Sequence, residues 1–344
     1  MGAALSARDA GPTTRPKAAR SSSLRRLYAS ARGTSWRRAS ASSTAFTERG
    51  SVDDEEIARD GRGRSPGVRW GASTKPARAD ADRFAVQVHQ STVTAAVCDG
   101  HGVAGDAHWG REIAGEACKA LVAADDVVEG FEAFQEIHEA RYDRTVGAAF
   151  AKRRASFLEE HGFAAPCALP AEGGCTATVA RAAGGVLTVA WVGDSRCVLA
   201  LRDGTCRPLT RDHAAASHVE EGARIEAAGG AVEGAYVAAP RAEGLLQVTR
   251  SLGDRAHHLD GVVLATPELV EVPTEGAAFA ILATDGVWAF LDDARAVACV
   301  SDALATAPGD VRAAAAALVA LARDRADASA RGADDVAVAV LVFV

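Results

Sequence analysis

Cys175-Thr176-Ala177-Thr178-Val179-Ala180-Arg181-Ala182-Ala183-Gly184-Gly185-Val186-Leu187-Thr188-Val189-Ala190-Trp191 reads as two strands folded about a Gly-Gly turn. Two glycines supply the positive φ angles that a tight hairpin demands, and apolar, β-branched arms flank them. A third strand is expected at 196–201, and upstream 84–89 and 93–98 form another candidate pair. A short strand is read at 245–249 and a final one at 336–343. Helical periodicity falls in separate blocks: 109–123, 131–160 with a break near Gly147, and 214–228 stopped by Gly229-Gly230. Two Ala-rich helices, 292–305 and 310–326, precede the last strand. Strands joined by short turns, with helices in blocks of their own, favour an α+β arrangement of antiparallel sheets covered by helices over a doubly wound parallel sheet.

The 344 residues are 48% hydrophobic and 24% charged, enough for one large domain plus appendages. No apolar run is long enough to span a bilayer. The seven cysteines are odd in number and contain no CxxC pair. This usage fits a reducing intracellular compartment better than a disulfide framework. The absence of asparagine and the presence of only four lysines is a compositional bias without functional content. Residues 1–50 hold ten basic and two acidic side chains, a net of +8, and few large apolar residues. They are expected to form a disordered tail, with 51–67 as linker and the folded domain over 68–344.

Three short acidic motifs sit at the ends of apolar runs: Asp99-Gly100-His101-Gly102, Ala283-Thr284-Asp285-Gly286 and Gly332-Ala333-Asp334-Asp335. Taken singly, Asp-Gly is a common turn dipeptide. Carboxylates at strand ends beside glycines are also a way to gather hard oxygen ligands for Mg²⁺ or Mn²⁺, and so point to a metal-dependent hydrolase. Other chemistries lack their signatures. There is no GxxxxGK[ST], GxGxxG or GxSxG; His138-Glu139 lacks the second His of a zincin; and no histidines have zinc-finger spacing with cysteines.

The order of blocks resembles the metal-dependent serine/threonine protein phosphatases of type 2C. The blocks are Val97-Cys98-Asp99-Gly100-His101-Gly102, Gly174-Cys175-Thr176-Ala177, Val192-Gly193-Asp194-Ser195-Arg196 and Leu209-Thr210-Arg211-Asp212-His213. They continue with residues 224–230, Val248-Thr249-Arg250-Ser251-Leu252-Gly253-Asp254, Thr266-Pro267-Glu268, Asp285-Gly286-Val287-Trp288 and Asp334-Asp335. The resemblance runs from about Trp70 to the C-terminus. It implies a four-layer α-β-β-α sandwich with two metal ions at one end. Asp99 would bridge both ions, the Gly100 carbonyl would ligate one, and Asp285 and Asp334 would complete the carboxylate set. A shared water, activated to hydroxide, would attack phosphorus in line, and His101 would protonate the departing Ser or Thr oxygen. For His101 a structural role is the rival reading. Asp194 matches a position that binds a further, weaker metal, with a plain turn acid as its alternative.

The chain also departs from the family's pattern. Asp82 matches the second of two acids near the domain start, but Ala81 replaces the first; Asp80 is the nearest substitute. Arg78, with Lys75 behind it, is the nearest candidate to bind substrate phosphate. Trp191, Ala289 and Ala337 stand where the family carries polar residues. Arg196 and Arg250 are expected to brace loops through ion pairs. The implied partners are phosphoproteins, with no nucleic acid, and the protein itself is expected to be a monomer. A catalytically silent scaffold of the same fold is the competing reading, and retention of Asp99, Asp285 and Asp334 favours the enzyme. Met1-Gly2-Ala3-Ala4-Leu5-Ser6 fits the pattern for myristoylation of Gly2, which the basic tail would assist at a membrane. An organelle transit peptide or a plain tail are the alternatives.

Overall fold

Gly184 and Gly185 turn the chain with φ of +57° and +81°, and Ala183 pairs with Val186 across them. This hairpin lies inside a computed structural model that describes residues 67–77, 80–102, 107–161, 173–214 and 219–344. Gly2, Arg78 and, apart from Gly67, the segments read as tail and linker lie outside the described residues.

Two five-stranded antiparallel sheets carry the fold. One runs β1 (Val68–Lys75), β15 (Val336–Phe343), β14 (Ala277–Ala283), β8 (Arg196–Leu201), β9 (Cys206–Pro208), with strands numbered along the chain. The other runs β13 (Glu268–Pro273), β7 (Val186–Val192), β6 (Ala177–Ala183), β3 (Thr92–Cys98), β2 (Arg83–His89). A small three-stranded sheet joins β4 (Gly100–His101), β5 (Gly174–Cys175) and β12 (Leu252–Gly253). A separate hairpin pairs β10 (Ala231–Glu233) with β11 (Tyr236–Ala238).

The period of two along each strand divides the core into three layers. On β15, Ala339 and Leu341, with Leu282 of the neighbouring β14, face the opposite sheet, where they meet Val93, Val97 and Leu187. Val336, Val338 and Val340, on the other face, pack under helices α7 (Asp293–Thr306) and α8 (Val311–Asp327) against Val300 and Leu318. On β3, Ala96 and Cys98 turn outward to Ile113, Leu121 and Phe131 of helices α1 (Ala107–Ala123) and α2 (Val127–Tyr142). The result is the four-layer α-β-β-α sandwich. Both sheet faces are covered, so the central strands read as unbroken apolar runs although the pairing is antiparallel.

Several local expectations shift. The helix read from residue 131 begins at Val127, where the Asp126 carboxylate caps it by accepting from the N–H groups of Val128 and Glu129. The break near Gly147 is a π-helical turn, Asp143–Gly147, that leads into α3 (Ala148–His161) without a stop. The helix read over 214–228 is α4 (Val219–Ala227); Ala214 instead bridges Val248. Residues 245–249 form no strand: Leu246 bridges Val237 and Val248 bridges Ala214, single contacts to two different partners that cannot build a ladder. Two one-turn helices complete the set, α5 (Arg255–His258) and α6 (Asp285–Trp288).

Candidate active site

Antiparallel pairing brings the ends of β2, β3, β8, β14 and β15 to one pole. Arg83 stands opposite Cys98, so Asp82 and Asp99 face each other just beyond the β2–β3 ladder. Ala283 of β14 pairs with both Arg196 and Val338, which places Asp285, Asp194 and the Asp334-Asp335 pair around the same end. Contacts between the two sheets close the group. The Thr284 hydroxyl donates to Asp82 at 2.6 Å and accepts from the Ala337 N–H at 3.0 Å. Thr176 holds the Asp99 loop twice: its N–H donates to the Asp99 carbonyl at 2.9 Å, and its hydroxyl accepts the Asp99 N–H at 3.2 Å. That hydroxyl also shares a 2.7 Å hydrogen bond with Ser195, beside Asp194.

The acids act on one another. Burial first, and then the charges of Asp82, Asp285 and Asp194, push the Asp99 carboxyl well above the usual carboxylate range. Asp82 is raised to about 7, chiefly by burial and against the hydrogen bond from Thr284. Asp194 is likewise raised to about 7, by burial and then by Asp285. Asp285 is raised by burial and by Asp334. Clustered carboxyls whose strongest charge interactions are with each other need a cation to ionise together. Hard oxygen donors in this number suit Mg²⁺ or Mn²⁺. Among the described residues no three His, Cys, Asp or Glu side chains are gathered closely enough to hold a metal ion as they stand.

Asp99, His101, Asp194 and Asp285 line a cleft of about 420 Å³, and residues 243–248 with Tyr236 form its far wall. Asp82 is buried behind it. Asp334 is exposed outside the cleft wall, while its neighbour Asp335 turns inward to accept the N–H groups of Ala77 at 2.6 Å and Ala81 at 2.8 Å. Gly100 lies so close to α1 that a Cβ would strike the Gly110 carbonyl. Asp80, read as a substitute for the missing acid, instead adopts φ +49° and pairs with Arg111 and Arg83. Arg196 clamps Asp212 with two bonds of 2.6 and 2.7 Å, and Arg250 pairs with Glu221 at 2.8 Å, so both brace loops. Trp191 donates its indole N–H to the Arg211 carbonyl and stacks on His213.

Asp254 belongs to the site although its role was not read from the sequence. Buried and left-handed at φ +43°, it meets His101 Nε2 at 2.6 Å and accepts from the Ser251 hydroxyl at 2.6 Å. Burial opposes its charge, yet His101, helped by His257 and the Ser251 hydroxyl, outweighs burial and holds Asp254 at about 2. Burial alone would lower His101; Asp254 reverses this and raises it. The signal available was an Asp directly after a glycine at the end of the block 248–254.

A family model described as Protein phosphatase 2C matches residues 70–330. The chain belongs to the protein phosphatase 2C family. Probable protein phosphatase 2C 11 of Arabidopsis thaliana is 34% identical over 207 residues, covering 60% of this chain and 49% of that protein. Protein phosphatase 2C homolog 1 of Saccharomyces cerevisiae is 42% identical over 118 residues, covering 34% of this chain and 38% of its own. The matches thus span about half or less of these relatives' length. The crystal structure of a serine-threonine phosphatase 2C from Toxoplasma gondii shares the protein phosphatase 2C fold. Its TM-score is 0.56 at 21% identity, over 81% of this chain and 96% of that one.

Proposed function

We propose that this cleft hydrolyses phosphoserine and phosphothreonine esters of proteins with the help of Mg²⁺ or Mn²⁺. The observation that carries the reading is the carboxyl cluster of Asp82, Asp99, Asp194 and Asp285 beside the His101–Asp254 pair in one cleft. Asp99, the Gly100 carbonyl, Asp285 and Asp334 would hold two ions, with Asp194 and Asp82 available to a third, weaker one. Bound there, the ions would offset the clustered negative charge, activate water and neutralise charge on the phosphoryl oxygens.

The chain's own residues supply the rest. Thr176 and Ser195 fix the Asp99 loop, so its carboxylate is presented without a search over conformers. Thr284 orients Asp82. His101 reaches the cleft with its side chain 28% exposed, placed to donate a proton to the departing seryl or threonyl oxygen. Tyr236 and Leu245 stand exposed on the far wall, where a peptide chain would lie.

The test pairs binding with turnover. Calorimetric titration with Mn²⁺ should show weak binding to the wild type and its loss in Asp99→Asn, with hydrolysis of a phosphoserine peptide lost in parallel. A variant that keeps full turnover would remove Asp99 from the site.

A further inference from the structure

We infer that Asp254 is a positioning residue that holds the Nε2–H of a doubly protonated His101 ring and leaves the proton on Nδ1 as the one given to the departing seryl or threonyl oxygen. The inference rests on the phosphatase reading and deepens it. The choice between the two nitrogens of an imidazole matters because only one at a time faces a given partner, and the bond made by the other fixes which. Here Nε2 sits 2.6 Å from Asp254 Oδ2, and no partner for Nδ1 occurs among the described residues.

Asp254 is itself held from several sides. Its N–H donates to the Gly173 carbonyl at 3.0 Å, and the Ser251 hydroxyl donates to its Oδ2. Gln135 grips the preceding Gly253 with both ends of its amide, donating to the carbonyl at 3.0 Å and accepting the N–H at 2.9 Å. A Cβ on Gly174 would collide with the Asp254 carboxylate, so the glycine leaves room for it. His257 and His258 also flank Asp254, and burial lowers both, His258 to about 4. A carboxylate held by a hydroxyl, on a backbone whose N–H is bonded to the Gly173 carbonyl and whose neighbouring glycine is clamped, has little freedom, and it passes that rigidity to the ring it holds.

Asp254→Asn is the informative variant, because Asn keeps the shape and tolerates left-handed backbone. Turnover of wild type and variant is compared on a phosphoserine peptide and on p-nitrophenyl phosphate, whose leaving group needs no proton. The variant should lose at least tenfold more turnover on the peptide than on the aryl ester, since general acid catalysis contributes about 10²–10⁴-fold. In parallel, ¹⁵N-histidine NMR of the metal-free protein should show the His101 Nε2 proton bonded to Asp254 and its signal displaced in the variant. Equal losses on both esters, or a His101 spectrum unchanged by the substitution, would overturn the positioning role while leaving the phosphatase reading intact. A folded wild type inactive on both esters would overturn that reading, and this inference with it.

Discussion

Replacing His101 by Gln keeps a polar side chain of similar reach but removes the proton donor. If His101 protonates the leaving oxygen, His101→Gln should depress turnover of a phosphoserine peptide by about 10²-fold or more. Its effect on p-nitrophenyl phosphate should be far smaller, because nitrophenolate departs unaided. Comparable losses on the two esters would make His101 a structural residue. Asp285→Asn and Asp334→Asn address the other half of the chemistry. Both should raise the Mn²⁺ concentration needed for half-maximal activity, and Asp334 is the sharper test because it lies outside the cleft wall. Glu221 bears on stability instead. Burial raises its pKa, but hydrogen bonds from Arg250 and Arg224 outweigh burial and hold it at about 2, below its ordinary 4.5. Its contribution is therefore fully present above about pH 4.5 and is lost as the pH falls through about 2. Glu221→Gln should flatten the acid limb of a stability–pH curve measured by denaturant titration.

At the level of elements, α1 carries two glycines with opposite roles. A Cβ on Gly110 would meet the backbone N, C and O of His101 at 2.6 to 2.7 Å, whereas one on Gly115 would meet nothing within 4 Å. Gly110→Ala should destabilise by about 1–3 kcal/mol through overpacking and should shift the His101 loop. Gly115→Ala should instead stabilise by up to about 1 kcal/mol, the helix-propensity difference. Thermal unfolding of the two variants checks both signs. The close approach at Gly110 could not be read from sequence, because it depends on a loop packed against the helix and not on local pattern. The antiparallel hairpin at 177–192 and the apolar strands were legible, since their period and turn glycines are local. The segment 245–249 misled for the converse reason: its composition suits a strand, but no neighbour offers it a continuous edge. The acids of the site were visible as motif residues. The Asp254–His101 and Asp335–Ala81 bonds, spanning 153 and 254 residues, left no local trace.

On the scale of the whole chain, the candidate ligands all lie after residue 66, where the described residues also form three layers of core. Removing residues 1–66 should therefore leave phosphatase turnover within about twofold of the full chain; a large loss would give the basic N-terminal segment a part in catalysis or folding. The four-layer design also explains how a negatively charged site is tolerated. Sheets covered on both faces supply a core large enough to offset the burial of several mutually repelling carboxyls at one pole. The same repulsion is why divalent metal is central to the account. The most direct measurement is hydrolysis of p-nitrophenyl phosphate by the purified chain across a Mn²⁺ titration, with and without excess chelator. Activity should be absent in chelator, appear only as Mn²⁺ approaches the millimolar range, and return when the metal is restored. Full activity in excess chelator would contradict the account.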